Sequence, residues 1–178
     1  ATREALMVAA TQLFAEQGFD GATVEQIATL AGVNKAMISY HFGGKDGLYT
    51  AILRSTFKSL AEALARLRDA ELPADQALHA LIALLGETLQ RKGALPAMLL
   101  REILSGGRHI DDVLMPDFLA VFATVRATVE RGIADGHFRP VDPALTHFGL
   151  VGGLVFFFAT TAFRERKLAE GKLPFAGE

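Results

Sequence analysis

Cysteine is absent from the 178 residues, which excludes disulfides, thiolate metal sites and cysteine nucleophiles together. An excess of one charge is also lacking. Eighteen basic side chains face twenty acidic ones, for a net charge of −2. A general basic coat for nucleic acid is therefore excluded, and any such binding requires a local patch. Catalytic signatures are missing too: no G-x-S-x-G, no P-loop and no H-E-x-x-H is present. The five histidines, at 41, 79, 109, 137 and 147, stand far apart in sequence, and no Ser-His-Asp set can be placed together. His109 with Asp111 and Asp112 comes nearest to a metal cluster, yet it reads better as a loop or helix cap. The expectation is a non-enzyme with no cofactor and no metal. The opening ATREALMVAATQLF mixes charge into a helical pattern and shows no cleavage-site pattern of a secretory leader, so a cytoplasmic protein is expected. Strand signals are scarce, since no run alternates apolar and polar over a strand's length.

What is present is helical spacing in a chain that is 51% hydrophobic. Leu6, Ala10, Leu13, Phe14 and Gln17 form one stripe, stopped by Gly18. Val24, Ile27, Ala28 and Ala31 form a second, opened by a T-x-x-Q capping box at Thr23 and Gln26 and closed by Gly32. Asn34 is an N-cap for a short helix over 35–41, broken by Gly43-Gly44. A longer helix follows from about Lys45 to about Asp69. Beyond it, Pro73, Pro96, Pro116 and Pro143 each open a helix, with stops near Gly93, Gly106-Gly107, Gly136 and Gly171. The reading is all-α, with about nine helices in two regions that share one connecting helix.

The segment TVEQIATLAGVNKAMISYHFGGKDGL, residues 23–48, carries the chemistry. Two short helices joined by a Gly-containing turn of three residues match a helix-turn-helix. Ala28 is small where the helices cross, Gly32 permits the turn, and Val33 and Ile38 plug the core beneath. The second helix then projects Lys35, Ala36, Met37, Ser39, Tyr40 and His41. Such a helix fits the major groove of duplex DNA with its first residues at base edges. Lys35 suits guanine acceptors, and Ala36 and Met37 suit a thymine methyl. Ser39, Tyr40, His41, Lys45 and Thr23 suit phosphates. Asn34, at the start of the helix, completes the candidate set. From Gln26 to Lys45 there are two lysines and no acid, whereas residues 1–58 carry five of each sign.

These residues resemble the TetR family of bacterial transcriptional regulators. The likeness covers residues 3–55 and includes Leu13-Phe14, Gly18-Phe19, Thr23-Val24, Ile27-Ala28, Ala31-Gly32-Val33, Tyr40-His41-Phe42, Lys45-Asp46 and Leu48. The resemblance implies a DNA-binding domain at 1–50 and a helical effector-binding and dimerisation domain at 51–178. It further implies a homodimer on a palindromic operator, released by a small molecule. The family's contact positions fall on Thr23, Lys35, Ala36, Met37, Tyr40, His41 and Lys45. Ser39 stands where the family often has tyrosine.

The carboxy-terminal half offers two expectations. Residues 144–163, ALTHFGLVGGLVFFFATTAF, are long and apolar enough to span a bilayer. His147 and the threonines, with amphipathic helices on either side, favour instead a helix buried in a dimer, with no membrane partner. Phe148, Gly149, Gly152, Gly153 and Val155 are the candidate dimer contacts, with the helix from Pro116 as the other half of an intersubunit four-helix bundle. An effector pocket between the middle helices is expected to use Met98, Leu99, Phe118, Phe122 and Phe156 as walls and Arg101 and Arg126 as polar anchors. Its ligand would be a hydrophobic small molecule. The alternatives are a helical DNA-binding protein without an effector and a membrane-associated interaction protein.

Overall fold

A computed structural model describes residues 2–173. Among the described residues there are nine helices and no strand: α1 (Thr2–Gly21), α2 (Val24–Ala31), α3 (Ala36–Phe42), α4 (Lys45–Asp69), α5 (Ala74–Arg91), α6 (Leu95–Leu104), α7 (Met115–Ala134), α8 (Pro143–Ala159) and α9 (Thr161–Ala169). The all-α expectation holds, and helices α2 to α8 each start within a few residues of their sequence signals. Gly18 marks a kink in α1, where φ is 76° and ψ 173°. The regular stripe ends there as expected, and one more turn carries the chain to Gly21.

One core runs through the first four helices and on into α6. Leu6, Leu13 and Phe14 of α1 meet Ile27 of α2, Ile38 of α3, Leu48, Tyr49 and Leu53 of α4, and Leu95 and Met98 of α6. A second core joins Leu64 of α4 to Leu81 and Leu85 of α5 and Val121, Val125 and Val129 of α7. Burying each of these aliphatic side chains contributes about 1.5–3 kcal/mol. Helix α4 enters both cores, so it is the mechanical link between them.

The last long apolar stretch departs from the single helix expected. Phe148–Gly152 forms a π-helical turn inside α8, and the axis bends by 55° between Ala159 and Thr161. Side-chain donors brace the carbonyls at the bend: Thr160 Oγ1 donates to Phe156 O at 2.8 Å, beside the backbone bond from Thr160 N at 3.1 Å, and Arg164 Nη2 donates to Phe157 O at 2.8 Å. Among the described residues no single helix is long and apolar enough to cross a membrane. Nor is this stretch buried on both sides within the protomer. Leu145, Phe148, Phe156, Phe157 and Phe163 are exposed, Phe148 to 70%.

Candidate nucleic-acid interface

Local signals position α2 and α3. The Thr23 hydroxyl accepts from Gln26 N at 3.2 Å while Gln26 Oε1 accepts from Thr23 N at 2.9 Å, completing the capping box. Gly32 closes α2 with φ 66° and ψ 33°, and its neighbour Val33 donates from its backbone to Ala28 O at 3.0 Å. That left-handed angle excludes most side chains and turns the chain directly into α3. Asn34 Oδ1 then accepts from Ala36 N at 2.8 Å. At the other end α3 runs hard against α4: a Cβ on Gly47 would land on the Phe42 carbonyl oxygen. The spacing of α3 from its supports is thus set by small residues and backbone bonds.

The sequence-selected residues do not all occupy the same surface. Ala36, Ser39 and Tyr40 are exposed, Tyr40 to 78%. His41 is half-buried between the rings of Tyr40 and Phe42 at 4.9 and 6.2 Å. Met37 is half-buried and packs against the core. Thr23 and Asn34 are exposed but committed to their caps. Lys35 is exposed, and its ammonium lies 3.0 Å from Glu25 Oε1, on the first turn of α2. That hydrogen bond, aided by the backbone and the charge of Lys35, holds the Glu25 carboxyl below the usual range.

Lys45 has a different occupation from the phosphate contact expected. It is half-buried, and its ammonium donates to Phe19 O at 2.9 Å and Ala22 O at 3.1 Å while lying 4.4 Å from the centre of the Phe19 ring. It therefore ties the start of α4 to the α1–α2 connection. Sequence spacing offers no hint of this, because the carbonyls lie 26 and 23 residues away.

A second cluster missed by the sequence reading joins α6 and the loop that follows it to α1 and α4. Glu102 is only 2% exposed. Its Oε1 accepts from His109 N at 2.6 Å and its Oε2 lies 3.0 Å from His109 Nδ1. Burial alone would raise the Glu102 carboxyl, but bonds from the His109 backbone and ring and from Tyr49 outweigh it and hold the group low. Burial first, then the Glu102 charge, push the Tyr49 phenol up. The His109 ring packs on Phe19 and Tyr49, and Asp46 stands 3.7 Å from its Nε2. Asp111 serves as a cap instead, accepting from Leu114 N at 2.9 Å. Among the described residues no group of three His, Asp or Glu side chains is placed to hold a metal.

Nor are the seven candidate effector residues gathered around one cavity. Met98 and Leu99 are buried in the first core. Arg101 reaches the other way, donating through Nε to Ala15 O at 2.9 Å and through Nη2 to Glu16 O at 3.2 Å. It pins α6 to α1. Arg126 is exposed and bonded to Glu130 at 2.8 Å. Phe118 meets Phe57, Phe122 meets His147, and Phe156 is exposed. Of the candidate dimer contacts, Phe148, Gly149, Gly152 and Gly153 are exposed and Val155 is half-buried. A Cβ on any of those glycines would meet nothing within 4 Å.

Comparison with known proteins agrees with this architecture. The family described as bacterial regulatory proteins, tetR family, matches residues 6–52. The HTH-type transcriptional repressor NicS of Pseudomonas putida is 32% identical over 160 residues, covering 88% of this chain and 75% of that protein. The HTH-type transcriptional regulator RutR of Escherichia coli is 31% identical over 143 residues, covering 80% and 67%. Among solved structures, the transcriptional regulator FadR of Bacillus subtilis in complex with stearoyl-CoA superposes with a TM-score of 0.72 at 18% identity, covering 92% of this chain and 89% of that one. PfmR of Thermus thermophilus gives 0.73 at 22% identity, covering 100% and 98%. With its capped helix-turn-helix, its helical body and these relatives, the chain belongs to the tetR family of bacterial regulatory proteins.

Proposed function

We propose that the chain is a cytoplasmic repressor of transcription that binds a palindromic operator as a homodimer and leaves it when a hydrophobic small molecule binds. Residues 1–50 form the DNA-binding part and 51–178 the sensing and dimerising part. The observation that carries the reading is α3 itself. It is short, fixed by caps at both ends of the turn, and turned outward with Lys35, Ala36, Ser39 and Tyr40 exposed. A helix so held meets base edges with its first residues, and Ser39 and Tyr40 flank it for phosphates.

The dimer reading is supported by the unpartnered apolar face of α8 and α9. Phe148, Phe156, Phe157 and Phe163 are exposed there beside the bare backbone of Gly149, Gly152 and Gly153. A contiguous apolar face of this kind marks an association surface. A second copy related by a two-fold axis would cover it, bringing Val155 and Phe148 into contact with their mates.

The effector site is proposed between α7 and α8, around Phe118, Phe122 and His147. His147 Nδ1 is buried without a partner, and burial lowers its basicity. A neutral imidazole among aromatic rings offers one polar anchor to an otherwise apolar ligand. The likeness to FadR of Bacillus subtilis, whose solved structure is a complex with stearoyl-CoA, supports a largely apolar effector. A ligand can release DNA only by binding one arrangement of the two heads better than the other.

The test is selection of genomic fragments by the purified protein, followed by release with a library of lipophilic acids and acyl thioesters. Specific retention of fragments bearing an inverted repeat, lost on adding one compound class, is expected. Retention that no compound alters would favour a DNA-binding protein without an effector, and no retention would overturn the reading.

A further inference from the structure

We propose that Glu25 and Lys35 act as one recognition unit that reads a single G·C base pair, making Glu25 a specificity-determining residue supplied by α2. The proposal rests on the DNA-binding role of α3. Its basis is geometric. Lys35 Nζ and Glu25 Oε1 are 3.0 Å apart, and the two side chains are 65% and 64% exposed. They extend from the start of α3, whose first residues this motif brings to base edges, and from the first turn of α2, which it lays across the backbone beside them. Asn34 cannot compete for the same position, because its side chain turns back to cap Ala36.

The major-groove edge of a G·C pair carries the complementary arrangement. Guanine O6 is an acceptor and cytosine N4 a donor, and because they bond to each other they lie about 2.9 Å apart. The protein thus offers a donor and an acceptor at the same separation with the opposite polarity. An A·T pair also sets an acceptor, thymine O4, beside a donor, adenine N6. The two pairs differ beside the acceptor. Guanine adds N7, a second acceptor for the ammonium, whereas thymine adds a methyl group that strips water from it without replacing the bond. The unit therefore prefers G·C.

Two further observations favour a reading role over a bystander one. Residues 26–45 hold no acid, so Glu25 stands at the margin of a patch that would attract phosphate better without it. A carboxylate in the first turn favours the helix dipole, which accounts for an acid there but not for its bond to Lys35 across the turn. An exposed pair is also held loosely, so both ends can re-aim toward bases.

The experiment is selection from random-sequence duplexes by the full chain and by its Glu25→Gln and Lys35→Ala variants, with titration of the enriched sequences. The expected wild-type motif has a G·C pair at one position of each half-site. Both variants should lose discrimination there by at least about fivefold, the lower end of what one base-edge contact supplies, with other positions unchanged. Glu25→Gln keeping the G·C preference would overturn the proposal. So would equal tightening on enriched and scrambled duplexes, which would make Glu25 only a repeller of phosphates. A wild-type pool with no enriched sequence would refute the DNA-reading role of α3 itself, so the two failures are distinguishable.

Discussion

Replacing Glu102 by alanine removes the one carboxylate buried among the described residues, where α6 and the loop after it meet α1 and α4. In the native chain its oxygens serve His109 N at 2.6 Å and His109 Nδ1 at 3.0 Å. Truncation leaves a buried backbone donor and a ring nitrogen without acceptors, and opens a void beside Tyr49. An unsatisfied buried donor costs about 1–3 kcal/mol. Two donors lose the same acceptor group and their costs overlap, so Glu102→Ala should lose roughly 2–4 kcal/mol in all. Glu102→Gln keeps one acceptor oxygen for His109 N and should lose about half as much. Urea unfolding followed by circular dichroism measures both, at one fixed protomer concentration because association adds to apparent stability. Acid supplies the control. The folded carboxyl is held low, so its contribution is present above the unfolded value near about 4.3. It is lost as pH falls through the lower folded value. The gap between wild type and Glu102→Ala should therefore narrow in acid. A loss below about 1 kcal/mol, or a gap that stays constant down to pH ~2, would refute the reasoning.

Other outcomes follow from the same geometry. Lys45→Ala removes two carbonyl bonds between α4 and the α1–α2 connection. It should lower stability by about 1–3 kcal/mol in the absence of DNA; an unchanged melting temperature with weaker DNA binding would restore the phosphate role. Thr23→Ala removes the cap of α2 and should cost about 1 kcal/mol, seen as an earlier thermal transition. Gly152→Asp puts a charge on the exposed apolar face of α8 and should shift sedimentation from dimer to monomer; an unchanged dimer would place the interface elsewhere.

Signals within one turn of chain were readable in advance. The Thr23–Gln26 box, the left-handed Gly32 and the opening of α4 at Lys45 are local, and the structure places them where residue type alone puts them. The missed features depend on distance in sequence. Arg101 bonds to carbonyls 86 and 85 residues away, so its charge read as an anchor in a pocket when it fastens α6 to α1. In sequence His109 stands beside Asp111 and Asp112, yet its partner is Glu102, which sits behind it across the loop. Periodicity does not distinguish a buried acid from an exposed one on a short amphipathic helix. The bend at Thr160 has no proline and no Gly-Gly pair to mark it; the Thr160 hydroxyl and Arg164 brace the Phe156 and Phe157 carbonyls there. Size and helical spacing single out the effector candidates, and these features describe packing as readily as a pocket.

The central claim is that α3 enters the major groove of duplex DNA. Methylation interference combined with hydroxyl-radical footprinting on a selected fragment tests it most directly, since methylation of guanine N7 blocks that groove alone. Interference is expected in two patches about 34–36 Å apart along the duplex, or a multiple of that spacing, on one face. Strong binding that ignores guanine N7 methylation, with protection confined to the minor groove or spread without pattern, would contradict it.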